Sequence, residues 1–129
     1  MQQLTTPVFL NEHGDVAIFK SLEAMVAQVE AFDVENGEYE FFDAAGHRLA
    51  ATVSGYDVTI ALDPKGALEA ERLEEILRLH FRGLRSHLQD FKQRAAAAAS
   101  LGELVALCEE LAARPRPSLF KQLFRRPPR

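Results

Sequence analysis

The sequence has a single cysteine, Cys108, so no disulfide can form within the chain. Small secreted domains usually carry several such cross-links. No apolar run approaches the roughly 18 residues that a membrane span requires. The opening Met1–Pro7 stretch has neither the basic nor the apolar region of a secretion signal. The expectation from these absences is a cytoplasmic protein that folds without covalent staples. No phosphate-binding loop, GxSxG elbow, HExxH pair or dinucleotide fingerprint is present, which removes the common motif-borne enzyme classes. Bases are scarce in the first half: residues 1–63 hold eleven Asp and Glu against Lys20 and Arg48, a net charge of −9.

What is present suffices for one domain. The 129 residues are 47% hydrophobic and include nine Phe. A chain of this length buries roughly two-thirds of its unfolded surface. Residues 64–129 carry a net +5, so the overall −4 conceals two oppositely charged halves. Such a division suits recognition of a basic partner by the acidic half, or simply solvates an exposed face with carboxylates.

The chain reads as α+β. Val8-Phe9-Leu10 and Val16-Ala17-Ile18-Phe19 flank Asn11–Asp15, residues that tolerate tight-turn angles, so a hairpin is predicted. Ser21 caps a first helix in which Leu22, Met25, Val26 and Val29 recur at helical spacing, ending near Ala31. Asp33–Gly37 reads as a break. Three alternating segments, Glu38–Asp43, His47–Val53 and Tyr56–Leu62, predict an antiparallel meander that joins the hairpin in a sheet of four to five strands. Asp63-Pro64 opens a long helix with an apolar stripe from Leu68 to Phe91, and Gly83 is its weak point. After five alanines, Ser100 and Glu103 form a capping box for a short helix through Leu111. The sheet is expected to be covered on one face by the first and long helices. Residues 1–113 form the domain, and 114–129 are a basic, Pro/Arg-rich tail in which Leu119/Leu123 and Phe120/Phe124 make two i,i+4 apolar pairs.

The chemistry-bearing residues point away from catalysis. His80 and His87 lie seven apart on the predicted helix, about 10 Å along its axis and too far to share a metal ion. His87 with Asp90 is the nearest approach to an oriented base, but reads first as a solvated pair on a helix flank. His13 and His47 read as turn residues. Cys108, on an apolar stripe, reads as a buried structural thiol rather than a nucleophile. The row Arg78, Arg82, Arg85 suggests phosphate binding, but Glu74 and Glu75 are placed to pair with it, and acids around the strands would repel a nucleic-acid backbone. No metal site, cofactor or nucleic-acid partner is expected. An acidic cluster interleaved with aromatics is the strongest candidate for a partner surface: Asp33, Glu35, Glu38, Tyr39, Glu40, Asp43 and Asp57.

The segments Val8–Val16, Phe19–Ala24, Phe32–Tyr39 and Asp43–Leu49 resemble small bacterial immunity proteins encoded beside secreted polymorphic toxins. The likeness spans residues 8–62 and rests on turn and strand patterns. It implies a cytoplasmic protein that binds and blocks a cognate toxin; taken with the acidic cluster, the expectation is a non-catalytic protein that occludes the active site of a basic toxin domain. The other reading is an adaptor that docks through the basic tail, and an exposed apolar helix face leaves homodimerisation open.

Overall fold

The computed structural model describes residues 3–114. The hairpin forms as its turn residues dictate: β1 (Val8–Glu12) pairs antiparallel with β2 (Asp15–Phe19). His13 and Gly14 between them both have positive φ, which a two-residue hairpin turn requires. The Asn11 carboxamide accepts the Gly14 N–H at 3.0 Å and closes the turn.

Of the predicted meander, the pairing of residues 49–54 with 57–62 forms, but the Glu38–Asp43 segment does not make a ladder with the strand after it. β3 (Glu40–Asp43) pairs antiparallel with β1 instead, with Phe42 opposite Phe9 and Phe41 opposite Leu10. The result is a three-stranded sheet of order β2-β1-β3. β4 (Leu49–Ser54) and β5 (Asp57–Leu62) make a separate two-stranded sheet, linked to β3 by one isolated bridge between Phe42 and Arg48. The single sheet of four to five strands is therefore two sheets of three and two.

The helices are also shorter than the periodicity suggests. The first divides into α1 (Leu22–Val26), capped by the Ser21 hydroxyl on the Ala24 N–H, and α2 (Ala31–Glu35), which occupies the expected break. The long helix starts at Ala70 rather than Pro64, because Asp63–Gly66 closes a turn. Its α3 (Ala70–Arg82) ends at Gly83. A 3-10 turn (Ser86–Leu88) and α4 (Gln89–Ala97) follow, and the alanines break at Ala98 before α5 (Leu101–Ala112). The Ser100 hydroxyl caps α5 on the Glu103 N–H, and the Glu103 carboxylate accepts from Ala99 N–H. Among the described residues no helix is long and apolar enough to cross a membrane.

The three-stranded sheet is covered on both faces, not one. Phe9 and Phe42 face a core built with α3, α4 and α5: Leu73, Leu77, Phe81, Phe91, Leu104 and Cys108. Val8, Leu10 and Phe41 face a second core with Met25, Val29, Leu49 and Ile60. Alternate side chains of one strand thus enter different cores. Each large apolar side chain so enclosed contributes roughly 1.5–3 kcal/mol. Leu68, expected on the buried stripe, lies before α3 and is exposed.

Candidate functional site

The seven acidic and aromatic candidates fall into three groups. Asp43 and Asp33 are buried. The Asp43 carboxylate accepts the N–H groups of Thr5 (3.1 Å), Ala45 (3.0 Å) and His47 (2.8 Å), and meets His47 Nδ1 at 3.0 Å. It organises the turn after β3 and does not reach a partner. His47 is thereby an Asp-oriented side chain of that turn. Asp33, in α2, accepts the Tyr39 hydroxyl at 3.0 Å.

Glu40 is the hub of an ion-pair network. Its carboxylate meets Arg72 Nη2 at 2.8 Å, Arg48 Nη2 at 3.0 Å and Asn11 Nδ2 at 2.9 Å. Arg48 also grips Glu69 at 2.7 Å and lies 4.6 Å from the centre of the Phe42 ring, while Arg72 also reaches Glu75 at 2.6 Å. Partial burial raises the Glu40 pKa, but hydrogen bonds from Arg72 and Asn11 and the charges of Arg72 and Arg48 outweigh it, holding the carboxyl below its ordinary value. The network ties β3 to the start of β4 and to α3.

Glu35, Glu38, Tyr39 and Asp57 keep surface. Asp57 opens β5 at the tip of the two-stranded hairpin, on the other sheet from the rest. Glu35, Glu38 and Tyr39 follow Phe32, which is 73% exposed. The Gly37–Glu40 stretch lines a cleft of about 360 Å³, opposite the β1–β2 turn with His13 and the Arg72, Ile76 and Leu79 face of α3. Leu79 is 54% exposed at this cleft.

Glu12, Asp33 and Glu38 bring carboxylate oxygens within 4.8 Å of one another, and Glu12 and Asp33 are buried. Among the described residues this is the grouping whose donor chemistry suits a cation. The sequence reading missed Glu12 because Asn11–Asp15 read as a solvated turn, whereas Glu12 closes β1 and is buried.

The remaining candidates are occupied structurally. Arg78 donates to the carbonyls of Ala95 (3.2 Å) and Ala98 (3.0 Å) at the end of α4, and pairs with Glu74 at 3.2 Å, as the i,i+4 spacing predicts. Arg85 lies beyond the break at Gly83, so the three arginines are not one helical row. Glu75 pairs with Arg72 rather than Arg82. Asp90 faces Arg94 at 3.6 Å. Burial, with a smaller contribution from the Glu109 charge, pushes the Cys108 thiol up to about 12, far from a nucleophilic thiolate. The proposed adaptor tail lies, beyond Arg114, outside the described residues. Compared with known protein families, curated proteins and solved structures, the chain matches none, so its function has to be read from its own residues.

Proposed function

We propose that the protein is a non-catalytic inhibitor, acting in the cytoplasm of the producing cell, that binds a basic toxin domain and occludes its active site. The observation that carries this reading is the acidic and apolar residues along 32–40, several of which line the cleft against α3. Glu38, Tyr39 and the exposed Leu79 line one cleft, and the exposed Phe32 and Glu35 precede its Gly37–Glu40 wall in the chain. An apolar anchor ringed by charge of one sign suits a protein partner of the opposite sign: the apolar contact supplies affinity and the charges speed and select the encounter. Asp33 holds the Tyr39 hydroxyl, and Glu40, though on the cleft wall, and Asp43 are engaged by contacts that hold the fold. Asp57 lies away from this surface.

Capture of partners by the tagged full chain in its native cell, with mass spectrometry, identifies the protein recovered in near-equal amount. Affinity for that protein is then compared between the Glu35→Lys, Glu38→Lys double variant and Asp57→Lys. The double reversal is expected to weaken binding at least tenfold, about 1.4 kcal/mol, with circular dichroism unchanged and Asp57→Lys near wild type. Equal affinity of all three proteins overturns the placement. A recovered partner without a basic surface overturns the inhibitor reading. Reversal of Glu40 or Asp43 is unsuitable for this purpose, because each would also break contacts that hold the fold.

A further inference from the structure

The cleft beside Glu38 has the size of a side-chain pocket rather than of a large ligand site. Its volume of about 360 Å³ lies at the small end of small-molecule cavities, which run from roughly 300 to 1,000 Å³. One wall is aliphatic, from Ile76 and Leu79 of α3. Leu79 is exposed and Ile76 is buried, so this wall leads from solvent towards the core. Arg72, Ile76 and Leu79 are spaced i, i+4 and i+7 and stand on one face of the helix.

The Asp, Glu, Lys and Arg side chains of the lining are Glu38, Glu40 and Arg72. Glu40 and Arg72 pair at 2.8 Å and cancel formally, which leaves the lining with the negative charge of Glu38. The Glu38 carboxylate also lies within 4.8 Å of the carboxylate oxygens of the buried Glu12 and Asp33. Partial exclusion of water there strengthens the attraction for a cation. Tyr39 adds an aromatic ring to the same wall. A long aliphatic stem that ends in a planar cation satisfies all of these features. The molecule uses that combination within its own network: Arg48 lies 4.6 Å from the centre of the Phe42 ring while its guanidinium meets Glu69 at 2.7 Å and Glu40 at 3.0 Å.

We propose that the cleft receives one arginine side chain of the partner protein, its stem along Ile76 and Leu79 and its guanidinium on the side of Glu38 and Tyr39. This rests on the inhibitor reading above and deepens it, by naming the group through which a basic partner is recognised. Arginine is assigned over lysine because a planar fork pairs with a carboxylate and stacks on a ring at once.

The test titrates the isotope-labelled full chain with N-acetyl-arginine amide, N-acetyl-citrulline amide and N-acetyl-lysine amide, read by NMR. Citrulline keeps the shape of arginine without its charge. The expected result with arginine is saturable shifts of the Gly37 and Glu38 amides and of the Ile76 and Leu79 methyls, at a roughly millimolar Kd. The citrulline and lysine compounds are each expected to bind about tenfold more weakly. Glu38→Gln is expected to weaken arginine binding about tenfold, and Leu79→Lys, at an exposed position on α3, to do the same. Absence of saturable shifts at concentrations about tenfold above that Kd overturns the proposal. So do equal affinity for citrulline, full affinity in either variant, and equal shifts at the Ser54–Asp57 hairpin tip, which would mean general attraction to acidic surface. Equal affinity for lysine overturns the assignment to arginine. None of these results decides the inhibitor reading, which falls separately if the captured partner lacks a basic surface; arginine binding in the cleft would then still stand.

Discussion

Gly46 is the position where one added methyl group does most damage. Its φ is +94°, and a Cβ there would lie 2.5 Å from the Ala70 Cα and 2.7 Å from the Ala70 nitrogen. These are backbone atoms at the start of α3, so no side-chain rotation relieves the contact. Ordinary carbon–carbon contacts lie near 3.5–4.0 Å, so the turn or the helix must move by about 1 Å. The turn is held where it is by the Glu69 N–H, which donates to the Gly46 carbonyl at 2.8 Å. For Gly46→Ala the left-handed backbone costs about 1–2 kcal/mol, and the displaced packing about 1–3 kcal/mol more. Gly55 provides the control: its φ is +64°, and an added Cβ meets nothing within 4 Å. Gly55→Ala should incur the backbone cost alone, about 1–2 kcal/mol. Urea unfolding followed by far-UV circular dichroism gives both values. The reasoning requires the Gly46 loss to exceed the Gly55 loss by about 1–3 kcal/mol. Equal losses would refute it, and would mean that the turn after β3 does not rest on α3. Because Arg48 and Glu69 sit on the two sides of this contact, the same shift would also loosen the Glu40 network at the cleft.

Two further outcomes follow from charge and burial. Glu40 is held below its ordinary pKa of 4.5 in the folded chain, so its stabilising contribution is complete above that pH and disappears as pH falls through the lower folded value. Glu40→Gln should cost roughly 1–3 kcal/mol at pH 7 and should lose less stability than wild type between pH 5 and about pH 3; urea titrations that decline in parallel would count against the network. Cys108 should react with a disulfide reagent only as the chain unfolds, so its rate at pH 8 should track urea concentration through the transition; rapid reaction in the absence of denaturant would contradict its burial.

Local chemistry was the legible part of this sequence. Turn residues gave the β1–β2 hairpin, and Ser21 and Ser100 cap helices as read. Pairing between distant strands was not legible. Glu38–Asp43 precedes His47–Val53 closely enough to suggest a meander, yet β3 finds β1 because Phe42 and Phe9 together fill one core while Phe41 and Leu10 fill the other. A signal for this was present: Val8-Phe9-Leu10 and Phe41-Phe42 are apolar without alternation, the mark of strands buried on both faces. Gly83 was visible as a weak point, but whether a helix bends or stops there depends on what Phe81 and Phe91 pack against.

The candidate site was legible as composition and illegible as surface. A run of carboxylates says that a region is acidic; it does not say which charges face out. Arg48 is one of only two bases in residues 1–63, and it lies between Glu40 and Glu69. Arg72 arrives from a helix 32 positions away to meet the same Glu40. Each of these arginines engages two carboxylates, so the acidity available to a partner is smaller and more localised than the net charge of −9 suggests. Asp43 shows the opposite error: a fully buried carboxylate satisfied by backbone N–H groups contributes to the sequence's negative charge without presenting a face to any partner. Under the proposed inhibitor reading, recognition by charge is assigned to the exposed Glu35 and to Glu38, which is half-buried on the cleft wall with Tyr39 and Leu79. That is why reversal of those two acids, and not of the whole cluster, separates binding from folding.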